Sequence, residues 1–179
     1  MAPLVRRSWQ PRGRTPVLVQ RGRHLQKVSA IAALAVSPRR DRVRLYFRLH
    51  PQADISSDQV IAFLRYLHRE LRAPCLLVWD RLHAHRAKRS ARFMARLHHL
   101  HTCFLPAYAP ELNPFEYAWG YLKMNPLANQ PTFETAELAA LARRYTRALQ
   151  RNQSLLRSFL RHSPLFFAPH IGHYLCRTQ

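Results

Sequence analysis

The chain has 179 residues, 47% of them hydrophobic, and contains no run of eighteen or more apolar residues. This length and composition predict one soluble globular domain with a substantial core and argue against a membrane-spanning helix. Charged residues stand near the N-terminus, where a signal peptide would be apolar, so we expect a cytoplasmic rather than a secreted protein.

The formal net charge is +20, from 29 basic and only nine acidic residues, and the basic residues are spread from Arg6 to Arg177. Such a surface favours nucleic acid as the partner, because basic side chains release the counterions of a phosphate backbone. A solvated basic face is the alternative interpretation. A membrane-binding helix is disfavoured, since no predicted helix joins a basic face to a fully apolar one.

The chain begins with a basic stretch, residues 1–23, which is rich in Pro and Gly. It predicts an extended linker with one short strand at residues 16–20. Lys27–Val36 is apolar and predicts a buried strand, and after a turn Arg42–Leu49 alternates apolar and polar residues. This alternation, with Tyr46 on the polar side, predicts a half-exposed strand that forms an antiparallel hairpin with the first.

Helical spacing of apolar residues follows from Ser56 to Arg72, and Ser56 with Gln59 predicts a capping box at the helix start. A short apolar run, Cys75–Trp79, then predicts a buried strand that ends at Asp80. The remaining predicted elements are a helix at Ala87–His101, a strand at Thr102–Leu105, and helices at Asn113–Met124, Thr132–Gln150 and Asn152–His162. This order predicts an α/β domain with a mixed sheet.

The three cysteines, Cys75, Cys103 and Cys176, share no metal-type spacing. We interpret them as buried thiols in a reducing compartment. The histidines also lack the Cys/His spacing typical of zinc sites, although His98, His99 and His101 cluster at the end of the second predicted helix and His85 follows Asp80. His85 is therefore predicted to be a polar neighbour of Asp80.

Two carboxylates stand out in this acid-poor chain. Asp80 closes an apolar strand, and α/β proteins usually place ligands at the carboxyl ends of strands. Its alternative role is to cap the next helix or to pair with an arginine. Glu116 also has a structural interpretation, a capping box with Asn113 around Pro114. That interpretation leaves the preceding Pro-x-Tyr-x-Pro-x-Leu segment, which starts at Pro106, unexplained.

The residues from Asp80 to Lys123 resemble one family. Asp80 and His85, followed by Leu-Pro-x-Tyr-x-Pro-x-Leu-Asn-Pro-x-Glu at residues 105–116 and by Trp119, Leu122 and Lys123, are similar to bacterial insertion-sequence transposases of the mariner superfamily. The 35 residues between Asp80 and Glu116 suit that group. The order of the upstream elements matches as well, so the resemblance covers roughly residues 8–123.

The resemblance implies an RNase H-like catalytic domain of the DDE type that cleaves and transfers DNA strands. Asp80 and Glu116 would be its second and third catalytic and metal-binding carboxylates, with His85 and Asn113 in support. Such sites hold two divalent cations about 4 Å apart, and Mg²⁺ or Mn²⁺ suits all-oxygen ligands. DNA would be the partner, in the form of transposon ends and target, and a homodimer is compatible with the resemblance.

The basic residues that we expect to contact DNA are Arg81, Arg86, Lys88, Arg89 and Lys123. Arg81 departs from the family, which commonly has Asn after this Asp. An arginine there is expected either to contact a phosphate or to lower the affinity for metal.

The family's first catalytic aspartate lies on a central first strand, and here no acid occurs before Asp41. Asp41 falls in the predicted hairpin turn, and Asp54 and Asp58 fall at a helix start, so all three are poor substitutes. We therefore expect an N-terminally incomplete catalytic core at residues 24–125 and a helical extension at residues 126–179. The expected forms are a split transposase completed by an upstream fragment, or an inactive remnant that only binds DNA.

Overall fold

The computed structural model describes residues 7, 11–13, 27–130 and 134–166 of the chain. The predicted strand at residues 16–20 and Cys176 lie outside the described residues. The described elements, in chain order, are β1 (Val28–Val36), β2 (Val43–Pro51), α1 (Ser57–Leu71), β3 (Cys75–Trp79), α2 (His83–Arg86), α3 (Lys88–Met94), β4 (Leu100–Phe104), α4 (Pro114–Met124), α5 (Thr135–Arg151) and α6 (Gln153–His162). Short 3₁₀ turns at Pro110–Leu112 and Pro164–Phe166 flank α4 and α6.

The predicted hairpin is confirmed: β1 and β2 pair antiparallel, with Val36 opposite Val43 at the turn. The prediction that β2 is half-exposed is correct for Arg44 and Arg48, which are exposed, and wrong for Tyr46. Tyr46, placed on the polar side, is only 7% exposed, because α1 covers that face and packs Phe63 and Leu67 against the ring. The opposite face, which carries Val43, is buried against α4, α5 and α6. The hairpin is thus a middle layer with helices on both sides.

The second sheet is the parallel pair of β3 and β4, in which Trp79 lies opposite Phe104. Leu105 N–H continues the ladder by donating to the Trp79 carbonyl at 2.8 Å. Because the strands are parallel, the segments that begin at Asp80 and at Leu105 leave the sheet at the same edge. Among the described strands the two pairs form separate two-stranded sheets, one antiparallel and one parallel.

Helix α1 begins as its sequence predicts. Ser56 accepts a hydrogen bond from Asp58 N–H, and Gln59 accepts one from Ser56 N–H, so the capping box forms. The buried stripe of α1 consists of Val60, Ile61, Phe63, Leu64 and Leu67. Val60 and Leu64 share a cluster with Trp79, so α1 packs under the strand that leads to Asp80.

The single helix predicted at Ala87–His101 is wrong. The chain forms α2 and α3 instead, and turns after Met94 through 3₁₀-type hydrogen bonds such as Leu97 N–H to the Met94 carbonyl. The physical reason is pairing: Leu100 and His101 are needed opposite Cys75 and Leu76 in the parallel sheet. As a consequence His98 and His99 follow the helix, and His101 lies on β4.

The C-terminal helices complete the core. Leu149 of α5 and Leu156 of α6 are buried in one cluster with Leu122 of α4 and with Val43 and Leu45 of β2. The predicted boundary between the catalytic core and the helical extension, at residues 125 and 126, stays a prediction. Residues from both sides of it share this cluster. In the part of the chain that the structure describes, no helix is both long and apolar enough to cross a membrane.

Candidate active site

Asp80 lies directly after β3 and is held by its neighbours. Its Oδ1 accepts a hydrogen bond from Leu82 N–H at 3.0 Å and lies 2.8 Å from His85 Nδ1. The hydrogen bond from His85 is the main reason that the pKa of Asp80 lies below its usual range; partial burial opposes the shift, and Leu82 N–H supports it. The carboxylate is therefore kept anionic. Its Oδ2 accepts no hydrogen bond from any described residue, and the side chain is half-exposed.

The imidazole of His85 is fixed by stacking. Its ring lies 4.5 Å from the ring of Trp79 at an interplanar angle of 14°, and Trp79 in turn stacks on Phe104 at 5.6 Å. The His85 side chain is only 13% exposed. This places His85 beside Asp80 as the sequence predicts, and it adds a reason for the position: the aromatic stack orients Nδ1 toward the carboxylate.

Arg81 ties the two segments at this edge together. Its Nε donates to the Leu105 carbonyl at 3.1 Å, across from the end of β3 to the end of β4. The two Nη groups make no bond to a described residue and stay directed to solvent with the exposed side chain. Of the two roles expected for this arginine, the geometry is compatible with a phosphate contact through the Nη groups.

The loop at residues 105–113 is fixed at both ends. Leu105 is bonded to Trp79, and near the other end Ser163 Oγ donates to the Leu112 carbonyl at 2.8 Å. Between these anchors Tyr108 is 102% exposed and has a φ of 59°. This left-handed backbone is uncommon for any residue other than Gly, Asn or Asp. The loop thus holds an aromatic ring away from the protein surface.

Glu116 lies in the first turn of α4. Asn113 is the N-cap and accepts from Phe115 N–H at 3.0 Å, with Pro114 at the first helical position, as predicted. The reciprocal half of the predicted capping box does not form, and that prediction is wrong. The exposed Glu116 carboxylate makes no hydrogen bond or ion pair with another described residue. Its charge is therefore free for a ligand.

The described part of the chain contains no complete metal-binding cluster. There, no three His, Cys, Asp or Glu side chains gather closely enough to hold a metal ion. The other aspartates are engaged elsewhere: Asp41 with Ser37 Oγ at 2.5 Å, Asp54 with Lys27, and Asp58 with Arg89 at 2.8 Å.

The remaining predicted DNA-binding residues lie on α2, α3 and α4. Arg86 lines a cleft of about 520 Å³, and His85 and His101 line the same cleft. Lys88 is exposed in the first turn of α3, next to Arg89, whose guanidinium is paired with Asp58. Lys123 is half-buried in the last turn of α4, about two turns after Glu116 in the same helix.

Sequence reasoning missed two features of the site. The aromatic stack beneath His85 depends on the register of β3 and β4, which local patterns do not reveal. The exposure of Tyr108 had a visible signal, since prolines at 106 and 110 restrict the backbone around it.

Comparison with known proteins identifies the class. The sequence profile of the DDE superfamily endonucleases matches residues 2–138. Because this match covers more than half of the chain, the chain belongs to the DDE superfamily endonuclease family. No curated protein matches the chain.

The solved structures that it resembles include three complexes of Mos1 transposase. The strand transfer complex matches with a TM-score of 0.64 and 14% identity over 99% of this chain and 52% of that one. The paired-end complex with the left transposon end gives 0.61 and 16%, over 88% and 47%. The mariner paired-end complex with Mn gives 0.59 and 17%, over 89% and 47%. These matches confirm the predicted RNase H-like α/β fold. The chain spans about half the length of these transposase chains.

Proposed function

We propose that this chain is the catalytic domain of a transposase, which cleaves DNA strands and joins DNA 3′ ends to a target. The observation that carries the proposal is Asp80: a carboxylate held anionic at the carboxyl end of a strand, in a chain of the DDE endonuclease family. The fold shared with Mos1 transposase and the net charge of +20 support DNA as the substrate.

Asp80 and Glu116 are proposed as metal ligands. Carboxylate oxygens suit Mg²⁺ and Mn²⁺, and both side chains have oxygens that no described residue occupies. A bound pair of divalent cations would supply the Lewis acid that activates water or a DNA 3′-hydroxyl. The donor set therefore fits the metal-dependent chemistry that the family resemblance implies.

The protein's own groups position these carboxylates and the DNA. His85 and Leu82 N–H orient Asp80 and keep it ionised, and Asn113 fixes the start of the helix that carries Glu116. Arg81, through its Nη groups, and Lys88 are proposed to contact the phosphates that flank the scissile bond. Their charges neutralise the backbone close to the two carboxylates.

We further propose that a third carboxylate comes from a second polypeptide, because every Asp and Glu of this chain lies among the described residues and none of them completes a group of three ligands. Asp41, Asp54 and Asp58 are engaged with other side chains, and we propose Asp80 and Glu116 as two ligands of a three-carboxylate site. An upstream transposase fragment and a second copy of the chain are the proposed partners. Mixing the chain with the translated upstream segment and measuring mass by light scattering tests both.

Nicking of supercoiled plasmid in Mg²⁺ or Mn²⁺ tests the function. The chain, combined with the upstream segment, is expected to nick, and Asp80→Asn or Glu116→Gln is expected to abolish nicking while DNA affinity stays unchanged. Glu111→Gln is the matched control, because Glu111 is an exposed glutamate in the 105–113 loop, five residues before Glu116. Nicking that persists in the Asp80 and Glu116 variants would refute the proposed site.

Binding without nicking in every form of the protein would instead indicate a non-enzymatic DNA-binding protein. In that outcome the affinity depends on salt and is unaffected by either carboxylate substitution. The same set of variants therefore separates the two functions.

A further inference from the structure

Tyr108 has an exposure that packing does not explain. Its side chain is 102% exposed, whereas the next most exposed large hydrophobic residue among those described, Leu82, is 46% exposed. Leu82 follows Asp80 by two residues and donates its N–H to that carboxylate. The two most exposed large apolar side chains of the described residues thus belong to the two segments that leave the same edge of the β3–β4 sheet.

The backbone of Tyr108 has a strained conformation. A φ of 59° is a left-handed conformation that Gly or Asn adopts more easily than an aromatic residue. Such backbone outliers cluster at ligand-binding sites, where the surrounding structure holds them in place. Here the surrounding structure is the anchored loop, with prolines at 106 and 110 and hydrogen bonds at both ends.

A hydrogen bond also joins the loop to the segment that carries Asp80 and Arg81. The Leu105 carbonyl, three residues before Tyr108, accepts from Arg81 Nε, and Arg81 directly follows Asp80. A DNA strand whose phosphates contact the Arg81 Nη groups therefore runs past the base of this loop. An exposed aromatic ring next to a phosphate contact is the arrangement that proteins use to stack on bases of single-stranded nucleic acid.

We propose that Tyr108 stacks on a nucleobase of the DNA strand bound at the Asp80 edge, and that this base is unpaired or displaced from its partner. The inference rests on the proposed function for the position of the strand. Every base has an aromatic face, so the contact is tolerant of sequence. It gives the site a preference for DNA with an open base over a fully paired duplex.

Fluorescence of 2-aminopurine tests this contact with the full chain and with metal ions withheld, so that binding is measured without cleavage. The probes are an oligonucleotide duplex with one unpaired 2-aminopurine and its fully paired counterpart. Wild type is expected to bind the open probe more tightly and to quench its fluorescence. Tyr108→Ala is expected to lose roughly five- to hundred-fold in affinity for the open probe and to lose the quenching.

Two further variants separate stacking from other roles. Tyr108→Phe and Tyr108→Trp keep an aromatic ring and are expected to retain both affinity and quenching. Val36→Ala is the control for loss of an exposed apolar side chain, since Val36 is 39% exposed at the hairpin turn. The thermal melt of Tyr108→Ala is expected to match the wild type, because the side chain packs against nothing that folding depends on.

The outcomes are distinguishable. If Tyr108→Ala binds and quenches like the wild type, or if Tyr108→Phe loses as much affinity as Tyr108→Ala, the stacking proposal is wrong and the proposed function is untouched. If Tyr108→Ala changes only the association of the chain with itself, the ring serves a protein contact and the proposal is also wrong. If the wild type binds neither probe at low salt, the proposed function itself fails.

Discussion

His85 Nδ1 lies 2.8 Å from Asp80 Oδ1, and the imidazole stacks on the Trp79 ring with 4.5 Å between ring centroids. The carboxylate is thus oriented by a ring that is itself held in place. Groups that orient a metal ligand commonly contribute as much as the ligand's own geometry, and their loss costs about 10- to 100-fold in metal affinity or activity.

We therefore predict that His85→Ala lowers metal-dependent nicking by roughly 10- to 100-fold and raises the Mg²⁺ concentration needed for half-maximal nicking. Titration of nicking against Mg²⁺ measures both effects. His83→Ala is the control, because His83 is exposed in the same short helix. A lower plateau with an unchanged Mg²⁺ requirement would argue against a role in positioning the carboxylate.

His50 predicts a pH dependence of stability. Its Nε2 is buried and has no hydrogen-bond partner among the described residues, and burial with the nearby Arg48 charge lowers the pKa of His50 below 6.5. The folded protein thus binds this proton less readily than the unfolded chain. Neutral His50 makes its full contribution to the free energy of unfolding above pH 6.5. This contribution is lost as the pH falls through the lower pKa of the folded state.

His50→Gln is expected to flatten the loss of stability between pH 7 and pH 5, as measured by urea unfolding at several pH values. His83→Gln, at an exposed position, is expected to leave the slope unchanged. Parallel slopes for wild type and His50→Gln would contradict the prediction.

The Gln153 side chain covers the backbone of β2 at Val43, and we predict that its removal lowers stability. The Gln153 amide makes two hydrogen bonds with the backbone of Val43, Nε2 to the carbonyl at 2.8 Å and N–H to Oε1 at 3.2 Å. Gln153→Ala leaves both backbone groups without these partners, so we expect the free energy of unfolding to fall by about 1–3 kcal/mol. Urea unfolding measures the change, and Ser154→Ala, one residue away and exposed, is expected to change it by less than about 0.5 kcal/mol.

Leu156 tests whether α6 belongs to the main core. It is fully buried in the cluster that contains Val43 and Leu122. Leu156→Ala is expected to lower the free energy of unfolding by about 2–5 kcal/mol, because the lost methyl groups leave a cavity. Met124→Ala, at a 45% exposed position, is the control with an expected small effect. A small loss for Leu156→Ala in one cooperative transition would mean that α6 contributes little to the core.

Sequence patterns predicted what local chemistry determines. The Ser56 capping box, the Asn113 N-cap and the strand that ends at Asp80 depend on neighbouring residues, and all are present in the structure. The family resemblance, which rested on the motif from Asp80 to Lys123, supplied the fold that the Mos1 matches confirm.

The errors arose where distant parts of the chain decide the outcome. Tyr46 is buried because α1 covers its face, and the helix predicted through His101 ends early because β4 has to pair with β3. The Glu116 carboxylate does not make the capping hydrogen bond that its spacing predicts, although α4 begins where the sequence predicts. Which residues would complete the proposed metal site likewise depends on tertiary structure, and spacing alone does not decide it.

The hydrogen bonds between Gln153 and Val43 join residues 110 positions apart, and the hydrogen bond from Gln150 to Leu45 spans 105 positions. Ribosomes add about 5–20 residues per second, so the outer edge of β2 emerges roughly 5–20 s before the side chains that cover it. During that interval the nascent hairpin presents bare strand edge to other chains. We therefore expect lower growth temperatures or added chaperones to raise the soluble yield more than stabilising substitutions in the finished core.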